Sequence, residues 1–497
     1  MLFSLLPLAL ATSPPGLDEA RPPCGTPAML RVLGPAPRMH VAPPGDFDEK
    51  DARDAYGTFP NEEEGDNFIV KWGDSGRVDE DAVEALLAAF ENAWAVEIGE
   101  MGMPVPSGTE STLFNVYIGD TGDGTPDGYG TSGYYTRDED NYPMIVVSRA
   151  TLDDAAWASG TATHELFHAL QDATGRYSYE GDSAWYWEAT AMWIEGEVLP
   201  EEDDYVAFLF GYGLLPHLPV SFFDYPDTGA LQEYHQYGAM IFPRYVSEIA
   251  ADWELVRDSW TEPLDADSPQ DALAILLEER GVDFADAFGD FAARNATWDY
   301  ADGELYREWM EWYADYYRSD DHRVVAEVDY VGTDGVVAAP EDTLPGRYGY
   351  NVVTLPRPVD AGLTVRFEGA PEGSKGSAAD WRVTLVREPE AGGPVYVPLT
   401  LKGGVGELAL TDVGDERLHL VVAAVPGAAR NEEVFAWSYA FTPSDVAAQP
   451  DPVDPIAESP EKVELTACGC ASGTGGVSGV SGVFVLAALA TIARRRR

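Results

Sequence analysis

The residues of this sequence best suited to chemistry are His164-Glu165-Leu166-Phe167-His168, two histidines four apart with a glutamate beside the first. On a helix, positions i and i+4 share a face, so both imidazoles can address one ion. Glu165 then stands at an angle from which its carboxylate reaches a water on that ion. The pattern H-E-x-x-H is the spacing in which two histidines bind zinc beside a carboxylate base. A hydrolytic zinc takes three protein ligands and a water whose pKa falls to roughly 7, so a third ligand is the decisive residue to find. Cysteine is confined to Cys24, Cys468 and Cys470, which excludes a disulfide scaffold or a cysteine-rich zinc module. The ligands are therefore expected to be histidine and carboxylate. Glu188 falls on the next helix, within Trp185-Tyr186-Trp187-Glu188-Ala189-Thr190-Ala191-Met192-Trp193, and is the candidate.

At these residues the chain resembles the gluzincin metallopeptidases, the thermolysin-like clan with HExxH followed by a glutamate on the next helix. It is more closely similar to exported metalloprotease-like proteins of myxobacteria and related bacteria. Those carry an HE-(aromatic or Leu)-FHxxQ helix, here ending at Gln171, and then WxxExxAxW. The resemblance implies His164, His168 and Glu188 as zinc ligands and Glu165 as general base, acting on a protein or peptide substrate. It implies a small sheet whose edge strand, placed at 142–150, lines the cleft. The clan's acid one turn beyond the third ligand is replaced by Met192. The next carboxylate, Glu195, either supports a ligand histidine or lies at the surface. A donor to the developing oxyanion is also expected, and Tyr234 and His235 are the candidates, with Tyr237 read as core packing.

The elements around these residues follow from pattern. Alternation predicts strands at 67–72, 113–119 and 142–150. Amphipathic spacing predicts helices at 78–102, 159–174, 183–194, 237–250, 267–279, 283–295 and 302–317. The loop bearing Asp120, Asp123 and Asp127 could gather oxygen ligands for calcium; its spacing is not that of an EF-hand, and a turn-rich surface loop is the alternative. From about 325 short β runs between Gly/Pro turns predict a β-sandwich. The expected fold class is an α+β zincin-like catalytic domain, mostly helical with a small sheet, then an all-β sandwich and a C-terminal transmembrane helix. The expected divisions are a signal peptide at 1–20, a disordered Pro/acidic arm at 21–66 and the metallopeptidase domain at 67–320. The sandwich at 321–442, an acidic Pro-rich linker at 443–467 and a sorting signal at 468–497 complete the chain.

The 497 residues carry 86 acidic and 31 basic side chains, a net charge of −55, which argues against nucleic acid as partner. The apolar start of the chain reads as a signal peptide. The end, with a Gly/Cys motif, an apolar run at 477–493 and four arginines, resembles the myxobacterial C-terminal sorting signal (MYXO-CTERM). That resemblance implies export, a membrane partner before processing, and a sorting protease acting near Cys468–Cys470. The expectation is a secreted, surface-anchored zinc endopeptidase. The rival is an adhesion or scaffolding protein with structural zinc, disfavoured because structural zinc takes four protein ligands and only three are visible.

Overall fold

The computed structural model describes residues 22–27, 29, 50, 52–53 and 59–443, with breaks at 76–77, 226–229, 318–334, 356–361, 370–378, 411–412, 415 and 428–432. Its first sheet is built on three parallel strands, β2 (Phe68–Trp72), β3 (Phe114–Gly119) and β5 (Pro143–Ser148). Every position of these strands is buried, as expected of parallel strands covered on both faces. Two antiparallel strands close the edges, giving the order β1-β2-β3-β5-β4. β1 (Asn61–Glu64) exposes three glutamates, and a charged edge resists pairing with another chain. β1 lies within the stretch expected to be a disordered arm. β4 (Gly133–Arg137) pairs with β5, so the edge strand is β4 and not 142–150, which lies inside the sheet.

Three helices carry the core over this sheet. α1 (Glu80–Trp94) is capped by Asp79. α2 (Ala155–Thr174) begins where Asp154 accepts from the amides of Ala156 and Trp157, and ends at Gly175, whose φ of 56° suits a residue without Cβ. α3 (Ala184–Val198) is buried almost throughout, because it lies between α2 and the later helices; a helix apolar on all sides must be enclosed. α4 (Trp253–Thr261), α5 (Pro269–Glu279), α6 (Phe284–Asn295) and α7 (Gly303–Tyr317) follow. The single helix expected at 237–250 is instead three short pieces, His235–Gly238, Ile241–Tyr245 and Val246–Ala250.

The later strands form two four-stranded antiparallel sheets. One has the order β10-β9-β12-β7 and the other β11-β8-β13-β6. Their bounds are β6 Val337–Ala338, β7 Gly349–Leu355, β8 Leu363–Gly369, β9 Trp381–Pro389, β10 Val395–Pro398, β11 Val405–Leu410, β12 Glu416–Ala424 and β13 Trp437–Pro443. Period-two alternation sends Leu418, Leu420 and Val422 of β12 into the core between the sheets. The intervening Val421 and Ala423 join the helical core instead. The sheet containing β9, β12 and β7 is thus buried on both faces, with α6 against its outer side. Asn295 donates to the Tyr350 hydroxyl at 3.0 Å and Arg382 to Asp286 at 2.6 Å across this junction.

The fold class expected from sequence is corrected accordingly. The described residues form a mixed α/β structure with three sheets, and none of their helices is long and apolar enough to cross a membrane. The apolar run at 477–493, the stretch expected to be a signal peptide at 1–20, and Cys468 and Cys470 lie outside the described residues.

Candidate metal centre

α2 and α3 pack against each other, their facing sides bring three donors together, and the segment around residue 24 adds a fourth. His164, His168, Glu188 and Cys24 are all buried, and one ligand atom from each lies within 4.8 Å of the others. His164 Nε2 is 3.4 Å from Glu188 Oε2, His168 Nε2 is 3.5 Å from Glu188 Oε1, and Cys24 Sγ is 3.5 Å from His168 Nε2. Tetrahedral zinc with bonds of about 2.0–2.1 Å to nitrogen or oxygen and about 2.3 Å to sulfur has donor–donor edges of about 3.4–3.6 Å. These three separations match such edges, the full set of four stays within 4.8 Å, and the mixed N, O and S donor set suits zinc.

Both imidazoles have their orientation fixed from behind. His164 Nδ1 lies 2.8 Å from Glu195 Oε1. His168 Nδ1 lies 2.7 Å from Gln171 Oε1, while the Gln171 amide nitrogen donates to the Trp187 carbonyl at 2.9 Å and the Thr190 hydroxyl at 2.8 Å. Because those donations orient the amide, its oxygen must accept from His168 Nδ1–H, which leaves the Nε2 lone pair on the donor cluster. Glu195 imposes the same tautomer on His164. Glu195 is seven residues beyond Glu188, an angle of only about 20° away on a helix of 3.6 residues per turn. That is how it does the work expected of an acid at the Met192 position, while Met192 is core.

Glu165 is fully buried beside the cluster. Its Oε2 accepts from the Thr26 hydroxyl at 2.8 Å, and its Oε1 has no hydrogen-bond partner. Gly133 of β4 lets α2 lie close to the sheet, since a Cβ there would lie 2.8 Å from Thr161 and 3.0 Å from the Val146 carbonyl oxygen. Tyr179 donates to Glu188 Oε1 at 2.5 Å, and Tyr237 donates to the Cys24 carbonyl at 3.3 Å.

The electrostatics are those of a pocket short of positive charge. Burial opposes ionisation of Glu188, but the two histidines outweigh it and hold its pKa down at about 2. Burial likewise opposes charge on His164, yet hydrogen bonds to Glu188 and Glu195 raise it to about 9. Burial, then Glu165 and Glu188, push the Cys24 thiol well above its ordinary value. A divalent cation reverses this logic, because it favours the thiolate and the neutral imidazole.

Two expected residues are elsewhere. Tyr234 stacks on Phe208 and packs against Phe210. His235 is buried against Tyr212 and Phe222, where desolvation drives its pKa down to about 3 and keeps it uncharged. Neither belongs to the donor cluster; Tyr237 is buried in the core as expected, and its hydroxyl also reaches the Cys24 carbonyl. The Asp120 loop forms no metal-binding group among the described residues. Its Asp120 carboxylate accepts from the Gly128 amide and Asp127 accepts from Tyr129, so both serve their own turn. Sequence reasoning missed Cys24, Thr26 and Tyr179. Only Gln171 had a signal, its place one turn beyond His168.

A family model described as a family of unknown function (DUF6055) matches residues 37–442, and the chain belongs to that family. No curated protein matches it. Among solved structures, a family GH115 4-O-methyl-alpha-glucuronidase with specificity for decorated arabinogalactans is 10% identical. The match covers 59% of this chain and 39% of that one, with a TM-score of 0.15. A likeness that slight bears on neither fold nor activity.

Proposed function

We propose that the protein is an exported zinc-dependent hydrolase of peptide bonds, with His164, His168 and Glu188 as working ligands and Glu165 as general base. The observation that carries the reading is the close meeting of the buried His164, His168 and Glu188 donors at the α2–α3 junction, the carboxylate 3.4 and 3.5 Å from the two imidazoles, with Glu165 next in sequence to a ligand. Bound zinc supplies Lewis acidity toward water and toward a substrate carbonyl. Glu165 takes the proton of the attacking water and delivers it to the leaving amine. Glu195 and Gln171 hold each histidine in the tautomer that ligation needs. Tyr237 offers a hydroxyl to a carbonyl oxygen at the site, as it does to that of Cys24. The reading of export rests on the terminal sequence labels alone.

The test is zinc content together with cleavage of an unfolded protein, with and without chelator, in wild type, Cys24→Ala and Glu165→Gln. Stoichiometric zinc with chelator-sensitive cleavage that Glu165→Gln abolishes is the expected result. Zinc without cleavage in wild type and Cys24→Ala alike refutes the hydrolase. A second reading has one observation in its favour. Cys24 makes four protein donors, the number typical of structural zinc, and a scaffolding protein would give zinc but no cleavage in any variant.

A further inference from the structure

Cys24 reaches the site as part of a short strap laid along the open edge of β4. The Ser132 amide donates to the Pro23 carbonyl at 3.3 Å, the Gly25 amide to the Gly133 carbonyl at 2.8 Å, and the Tyr135 amide to the Thr26 hydroxyl at 2.8 Å. Gly25 is needed for this approach, since a Cβ there would lie 2.9 Å from the Thr131 hydroxyl oxygen and 3.3 Å from the Gly133 carbonyl oxygen. Adding chain to an unpaired sheet edge is how extended peptides are commonly held. The strap also touches each part of the machinery. Its thiol is in the donor cluster and accepts from the Thr26 amide at 3.3 Å, its Thr26 hydroxyl covers Glu165, and its Cys24 carbonyl takes the Tyr237 hydroxyl.

Building on the zinc-hydrolase reading, we propose that residues 23–26 are a resident occupant of the substrate groove and hold the enzyme latent. Cys24 fills the fourth ligand position, and extended peptide substrates bind along β4 in the strap's place. The thiol loses its proton as its sulfur binds the ion and regains one on release. A thiolate and the Glu188 carboxylate together match the two charges of a dication, within a pocket where Glu165 and Glu195 are buried as well. A purely structural fourth ligand has no reason to bring with it a hydroxyl that occupies Glu165. The strap does both from adjacent turns of chain.

The experiment uses the full chain loaded with cobalt(II) in place of zinc. Wild type should show thiolate-to-cobalt charge-transfer absorption in the near ultraviolet, absent from Cys24→Ala and reduced in Gly25→Val, which pries the strap from β4 without altering a donor. With zinc, both variants should cleave an unfolded protein about tenfold faster than wild type or more, since activity scales with the fraction of open enzyme. A wild-type spectrum without the thiolate band, or variants no more active than an active wild type, overturns the latch and leaves the hydrolase standing. Metal bound in all three proteins with cleavage in none overturns the hydrolase itself, while the band still reports Cys24 as a ligand.

Discussion

Replacing Glu195 with alanine separates a residue that orients a ligand from one that is a ligand. Glu195 Oε1 sits 2.8 Å from His164 Nδ1 in a fully buried setting. Removing it leaves the His164 N–H without this acceptor, a cost of about 1–3 kcal/mol for a buried donor. Loss of such a partner typically weakens metal affinity by about 10- to 100-fold, or about 1.4–2.8 kcal/mol, and the two estimates agree. Zinc affinity measured by competition with a chromophoric chelator near neutral pH should fall by that factor in Glu195→Ala. Glu195→Gln, which keeps an acceptor oxygen, should fall less. Glu188→Ala, which removes a ligand, should lose far more. A Glu195→Ala protein that binds zinc as tightly as wild type refutes the tautomer argument. One that loses as much as Glu188→Ala would make Glu195 a ligand and require a different site geometry.

Three further outcomes follow from the packing. His235 is held near pKa 3, below its ordinary 6.5, so below about pH 6.5 the unfolded chain takes up a proton that the folded chain refuses. Stability from this group is complete above that pH and falls with acidification, by about 2 kcal/mol between pH 7 and pH 5; His235→Leu should lack this increment in urea titrations at the two pH values. Asp154→Ala should destabilise by about 1 kcal/mol through loss of the α2 cap, seen as a lower melting temperature with zinc stoichiometry unchanged. Leu420→Ala, at a fully buried position of β12, should cost about 2–5 kcal/mol, read from the same denaturation curves.

The legible parts of the fold were those whose signal is local. Strand-like patterning at 67–72, 113–119 and 142–150 located β2, β3 and β5, and Gly175 marked the end of α2. The start of α2 was placed at Ser159, four residues late, because Asp154 caps it across Ala155 and Ala156, which carry no strong periodic signal. β4 was missed because five residues after a Gly-rich loop do not declare themselves, although it forms an edge of the sheet. In the site, His164, His168, Glu165 and Glu188 were readable because two adjacent helices carry them at fixed angular spacing. Cys24 was not, since 144 residues separate it from His168 and only the folded chain closes that loop. Tyr234 and His235 have the side-chain chemistry of donors, but the short helix carrying His235 turns the Tyr237 hydroxyl toward Cys24 and His235 against Tyr212.

The sheet formed by β10, β9, β12 and β7 has no side that water can reclaim cheaply. If either neighbour leaves, a row of Val, Leu and aromatic side chains is laid bare, so the helical part and the outer sheet cannot melt one at a time without a large penalty. The protein should therefore behave as a single cooperative unit over residues 59–443, with one calorimetric peak and not two. Chains truncated near residue 317, where sequence patterning alone would invite a cut, should be recovered as aggregates even though every proposed catalytic residue is retained.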